Sequence, residues 1–144
     1  MITYRIARRP YAGLTGEGAR LYGGRFNPPG IPAVYTSQSI ALAVLEILVH
    51  IDKSEVPGDY VVMAIQFPGA RVSRWRGENL IGVNRLPIDL FKADFYRWPI
   101  LRVPSVIVPR EYNFILLPQA VGFAATIEWV EPLSFDRRLF SLRE

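Results

Sequence analysis

Val34-Tyr35-Thr36-Ser37-Gln38-Ser39-Ile40-Ala41-Leu42-Ala43-Val44-Leu45-Glu46-Ile47-Leu48-Val49-His50 changes character halfway along. Val34-Tyr35-Thr36 is β-branched and aromatic, which predicts a short strand. Ser37 or Ser39 then caps a helix, because a serine oxygen can accept a free first-turn N–H. The helix runs to about His50 and is apolar nearly all round, which predicts burial. Its longest apolar run, Ile40 to Val49, is broken only by Glu46 and is too short to span a bilayer.

Working outward, Met1 to Ile6 predicts a first strand, and Gly13 to Gly24 a glycine-dense loop with a helical turn from Glu17 to Tyr22. On the other side, Tyr60 to Phe67 predicts a strand ending at Pro68, and Val72 to Trp75 a segment that pairs nearby. Ile88 to Arg97 predicts a short helix ending before Pro99. Leu101 to Val108, Phe114 to Leu117 and Thr126 to Val130 are further strand candidates. Twelve prolines and eleven glycines keep these strands short. The expected class is α+β, with mostly antiparallel sheets around a central buried helix. No linker or repeat divides the chain, so residues 1–144 are expected to form a single domain.

The 144 residues are 50% apolar and 21% charged, which excludes a disordered tail. Without cysteine there is neither a disulfide nor a thiolate metal site, and a single histidine leaves little for a metal. No basic start leads into an N-terminal apolar stretch, so no signal peptide is read and the expected compartment is the cytoplasm. The net charge is +4. Fifteen of the seventeen basic residues are arginine, whose planar fork suits carboxylates and phosphates. The excess is scattered, with Arg8-Arg9 and Arg137-Arg138 the only basic doublets, which gives weak support to a nucleic-acid surface.

Polar chemistry concentrates in the first third: Gly23-Gly24-Arg25-Phe26-Asn27, then Val34-Tyr35-Thr36-Ser37, then Glu46. Two glycines before Arg25 let another molecule approach the backbone closely. Glu46 shares its helix face with Ser39, Leu42, Ala43, Val49 and His50, so its carboxylate needs a partner or a wet cleft. The structural alternatives are an i,i+4 pair with His50 or an exposed helix edge. For Arg25 the alternative is a structural ion pair, for Tyr35 a core aromatic, for Ser105 strand-end hydrogen bonding, for Arg5 a structural role and for Asn113 a turn.

These segments, together with Ala43-Val44-Leu45-Glu46 and Val49-His50, resemble the RES domain, the toxin half of a bacterial toxin–antitoxin pair whose partner is an Xre-type antitoxin. Tyr4-Arg5, Gly16-Glu17-Gly18-Ala19, Val103-Pro104-Ser105-Val106, Glu111-Tyr112-Asn113 and Pro132 through Phe140 follow the same pattern in order. The chain departs from it at Phe26, where the family usually has tryptophan, and between Gly77 and Ile100, which is compressed. The resemblance implies an ADP-ribosyltransferase-like fold that consumes NAD, by degradation or by ADP-ribosyl transfer to a protein. It implies Arg25, Tyr35 and Glu46 as catalytic residues and Arg5, Ser105 and Asn113 as NAD-binding residues, with no metal. NAD is then a consumed substrate and not a cofactor, in keeping with the lack of a Gly-x-Gly-x-x-Gly fingerprint after a strand. The implied partner is the antitoxin, through which DNA is met only indirectly. Self-association is expected from the apolar content and exposed β edges.

The residue types suit that chemistry. Breaking the nicotinamide–ribose bond develops positive charge on the sugar, as in glycoside cleavage. Glu46 can stabilise that charge, Arg25 can grip pyrophosphate or orient the nicotinamide end, and Tyr35 can stack on nicotinamide. Two other readings compete. A ribonuclease-type toxin suits the pI near 9.7 but lacks a histidine pair. A non-catalytic binding module is the third.

Overall fold

The computed structural model describes residues 1–24, 27, 29–52, 54, 56–74 and 99–140. Seven strands are described: β1 (Ile2–Arg8), β2 (Val34–Ser37), β3 (Tyr60–Gln66), β4 (Val72–Arg74), β5 (Ile100–Pro104), β6 (Tyr112–Leu116) and β7 (Thr126–Pro132). Two α-helices accompany them among the described residues, α1 (Glu17–Tyr22) and α2 (Ile40–Leu48). The strands make one sheet in the order β4-β5-β6-β2-β1-β3-β7. Every pairing is antiparallel except β4 with β5, which is parallel. The expected Ile88–Arg97 helix, and all but the last two residues of the compressed Gly77–Ile100 stretch, lie outside the described residues.

β3 shows why its sequence does not alternate. Tyr60-Val61-Val62-Met63-Ala64-Ile65 lies between β1 and β7, and Val61 through Ile65 are all buried, so both faces demand apolar side chains. One face joins Ala7, Val34, Phe67, Phe114 and Leu116 in the main core. The other carries Val62, which packs with Ile6 and Ala43 beneath α2, flanked by Tyr4, Ile47, Tyr60, Leu133 and Phe135. Leu101, Val103, Ile115 and Leu117 form a third cluster under the other half of the sheet.

α2 starts where its cap requires. Of the two serines, Ser39 is the cap: its Oγ accepts from the Leu42 N–H at 3.1 Å, while Ser37 ends β2. The expectation of a central buried helix is corrected. α2 packs against β1 and β2, burying Leu42 and Ala43, but Ile40, Leu45 and Val49 are exposed. A nine-residue helix lying on one face of a sheet can bury only one stripe, however apolar its other side. The sheet likewise replaces the plural sheets expected around a helix.

The strand expected over Leu101 to Val108 is shorter. β5 stops at Pro104, and Ser105 Oγ then accepts from the Ile107 and Val108 N–H groups at 3.1 and 3.0 Å, which bends the chain into a turn.

Thr3 in β1, opposite Ile65 of β3, is fully buried, and its Oγ1 has no hydrogen-bond partner. A buried hydroxyl without a partner costs free energy. Thr3→Val, which exchanges that hydroxyl for a methyl of similar size, is expected to stabilise the protein by about 1 kcal/mol. The urea unfolding midpoint measures it, and an unchanged or lower midpoint would contradict the burial argument.

Candidate functional site

α2 turns one polar side chain toward the sheet. Glu46 Oε1 accepts two short hydrogen bonds, from Ser105 Oγ at 2.7 Å and from Asn113 Nδ2 at 2.6 Å. Both donors are buried, at 2% and 8% exposure. Bonds from neutral donors to a carboxylate are among the stronger kinds in proteins. They fix the carboxylate in one orientation. Asn113 is itself oriented, since its Oδ1 accepts from Ser37 Oγ at 2.7 Å. Ser105 is oriented by the two backbone N–H groups that its oxygen accepts.

This assembly borders a cavity of about 340 Å³ lined by Tyr4, Arg5, Ile6, Gly24, Tyr35, Thr36, Ser37, Ala43, Glu46, Ile47, His50 and Asn113. A second cavity of about 510 Å³ lies along the Pro10–Gly24 region and shares Arg5, Ile6, Gly24, Tyr35 and Ile47 with the first. The two are adjoining lobes of one cleft. Their volumes suit a small organic ligand rather than an ion. Among the described residues no three His, Asp or Glu side chains come together as a metal would need.

Tyr35 stands where the lobes meet. Its hydroxyl donates to Asn27 Oδ1, and Asn27 Nδ2 donates to the Ala19 and Ile31 carbonyls at 2.9 and 3.0 Å. Asn27 is fully buried, so it knots α1 to the start of β2 and holds the tyrosine ring by its tip. Gly24 leaves the space for that ring. A Cβ there would lie 2.5 Å from both Asn27 Oδ1 and Tyr35 Oη, and 2.8 Å from Tyr35 Cε2. Gly24→Ala is therefore expected to destabilise the protein by about 1–3 kcal/mol, the usual cost of overpacking, read by thermal or urea unfolding. A neutral result would mean that the ring is not held by its hydroxyl.

Arg5 brings positive charge to the cleft. Its Nη1 donates to the Tyr11 and Gly13 carbonyls at 2.8 and 3.0 Å, which secures the loop that walls the second lobe. Burial pulls its guanidinium below the ordinary value, yet arginine keeps its proton in proteins. Gly16, with φ of 68°, lets the same loop turn against Ala33; a Cβ there would meet the Ala33 nitrogen at 2.6 Å.

The structure thus gathers Arg5, Tyr35, Glu46 and Asn113 around one cleft, with Ser105 behind Glu46. Arg25 lies outside the described residues. His50 lines the same lobe one turn beyond Glu46, whose Oε1 is held by Ser105 and Asn113. Sequence reasoning gave Ser37 only a candidate helix cap and Asn27 no role of its own. Both are uncharged; Ser37 meets Asn113 only through the pairing of β2 with β6, whereas the partners of Asn27 lie four to eight residues away in the chain.

A model of the RES domain matches residues 2–138. A "Toxin Res" of Photorhabdus laumondii is 36% identical over the whole of both chains. A "Prs ADP-ribosylating toxin" of Sphingobium sp. is 33% identical over 73% of this chain and 72% of its own. Among solved structures, a chain from the M. tuberculosis MbcT-MbcA toxin-antitoxin complex superposes with a TM-score of 0.64, covering 96% of this chain and 86% of its own. At 18% identity that likeness speaks for the fold alone. Shared fold, near-complete family match and full-length relatives agree: the chain belongs to the RES domain toxin family.

Proposed function

We propose that the protein is the toxin of a toxin–antitoxin pair, and that it cleaves NAD at the nicotinamide–ribose bond on an ADP-ribosyltransferase-like fold. The observation that carries this reading is the Glu46 carboxylate, held by Ser105 and Asn113 at the wall of a cleft that Tyr35 also lines. Such a pre-oriented negative charge stabilises an oxocarbenium-like ribose without having to reorganise as the charge develops. The glycosidic electron pair leaves with nicotinamide. An acceptor oxygen then bonds to the sugar carbon and gives up its proton. Tyr35 offers its ring to the nicotinamide, and Arg5 supplies a cation beside the second lobe, where the pyrophosphate half of the substrate fits. Arg25 is assigned the substrate grip on the family resemblance.

Incubating the purified protein with NAD and measuring free nicotinamide tests the reading; no release above a buffer control would overturn it. A second reading, ADP-ribosyl transfer to a protein, is favoured by the Sphingobium relative's name. Product identification by mass separates the two, since transfer leaves ADP-ribose on a protein. In either case NAD is consumed, the work is done in the cytoplasm, and an Xre-type antitoxin holds the activity off. Self-association of the toxin forms part of the same proposal.

A further inference from the structure

We propose that Ser37 is a positioning residue for the Glu46 carboxylate, acting through Asn113; this rests on the reading of Glu46 as the catalytic carboxylate. Ser37 ends β2 and lies directly opposite Asn113 of β6 in the sheet register. Strand alternation puts it on the same face as Tyr35, and both line the Glu46 lobe. Helix capping, the duty suggested by its place before α2, belongs to Ser39. The Ser37 hydroxyl is 2.7 Å from Asn113 Oδ1, and Asn113 Nδ2 is 2.6 Å from Glu46 Oε1.

The chemistry of an amide gives this relay a direction. A carboxylate has only acceptors, so Asn113 must present its NH₂ group to it. Oδ1 then faces Ser37, which has a hydroxyl hydrogen to give. With the hydroxyl removed, Oδ1 is left in a site where Asn113 is 8% exposed, and the amide is held from the Glu46 side alone. The amide then turns more freely, and the carboxylate loses the fixed orientation that transition-state stabilisation needs.

Ser37→Ala is expected to lower kcat for nicotinamide release about tenfold and leave KM within about twofold, since the relay aligns a reacting group and does not bind substrate. Ser37→Thr, which keeps the hydroxyl, is expected to recover most of the rate. In an Asn113→Ala background Ser37→Ala is expected to cost less than about twofold, because the relay is already broken. Equal losses in the two backgrounds, or full kcat in Ser37→Ala, would overturn the relay. Should Ser37→Ala fail to fold by circular dichroism, Ser37→Cys replaces it, a side chain of similar shape and much weaker donor strength. Glu46→Gln run alongside keeps the two ideas apart. Its inactivity together with an active Ser37→Ala overturns only the relay, whereas parent-rate turnover in Glu46→Gln overturns the reading of the site and the relay with it.

Discussion

Glu46→Gln is expected to lose NAD cleavage by a hundredfold or more, about 3 kcal/mol of transition-state stabilisation, while remaining folded. The substitution keeps the side chain's length and shape. Its amide oxygen can still accept from Ser105 and Asn113, so the local hydrogen bonds survive. What disappears is the negative charge that faces a developing cation. Glu46 is half-buried on the inner side of α2, and the substitution leaves the apolar packing of Ala43 and Ile47 in place. Single-turnover release of nicotinamide measures the loss and circular dichroism checks the fold. Activity at the parent rate would mean that the carboxylate is structural.

Ser105→Ala is expected to damage stability and rate together. The hydroxyl donates to Glu46 and accepts from two backbone N–H groups, all within a side chain that is 2% exposed. Removing it strands the Ile107 and Val108 donors, at about 1–3 kcal/mol of stability. It also frees one of the described constraints on Glu46 Oε1, for an expected fall in kcat of about ten- to a hundredfold. Urea unfolding and steady-state kinetics read the two effects. A stability loss with kcat unchanged would show that the Ser105 bond does not orient the carboxylate.

How much of this was legible follows the range of the interactions. The β2–α2 junction could be read because strand propensity, a serine cap and an apolar run are local signals, and Glu17–Tyr22 was found for the same reason. The exposure of Ile40, Leu45 and Val49 was not legible, because hydropathy does not record which side of a helix has a neighbour. Nor was the early end of β5, where a proline and a side-chain-bonded turn outweigh the β-branched Val106, Ile107 and Val108. In the site, Glu46 stood out as the only acid in an apolar helix, and Tyr35, Arg5, Ser105 and Asn113 came from the family pattern. Ser37 carries no charge and no distinctive spacing. Its partner is 76 residues away, and only the register of β2 against β6 brings them together.

The spread of those partners also orders events in time. Glu46 meets Ser105 across 59 residues and Asn113 across 67, and β6, which carries Asn113, pairs directly with β2. A growing chain that has made β1, β2, α2 and β3 holds the Glu46 carboxylate without Ser105 and Asn113. Synthesis at about 5–20 residues per second leaves an interval of several seconds before Asn113 arrives. Closing so long a loop must also precede any reward from the contacts it makes. On the proposed mechanism, chains that end before Ser105 lack both of these donors to Glu46 and are expected to cleave NAD far more slowly than the finished protein.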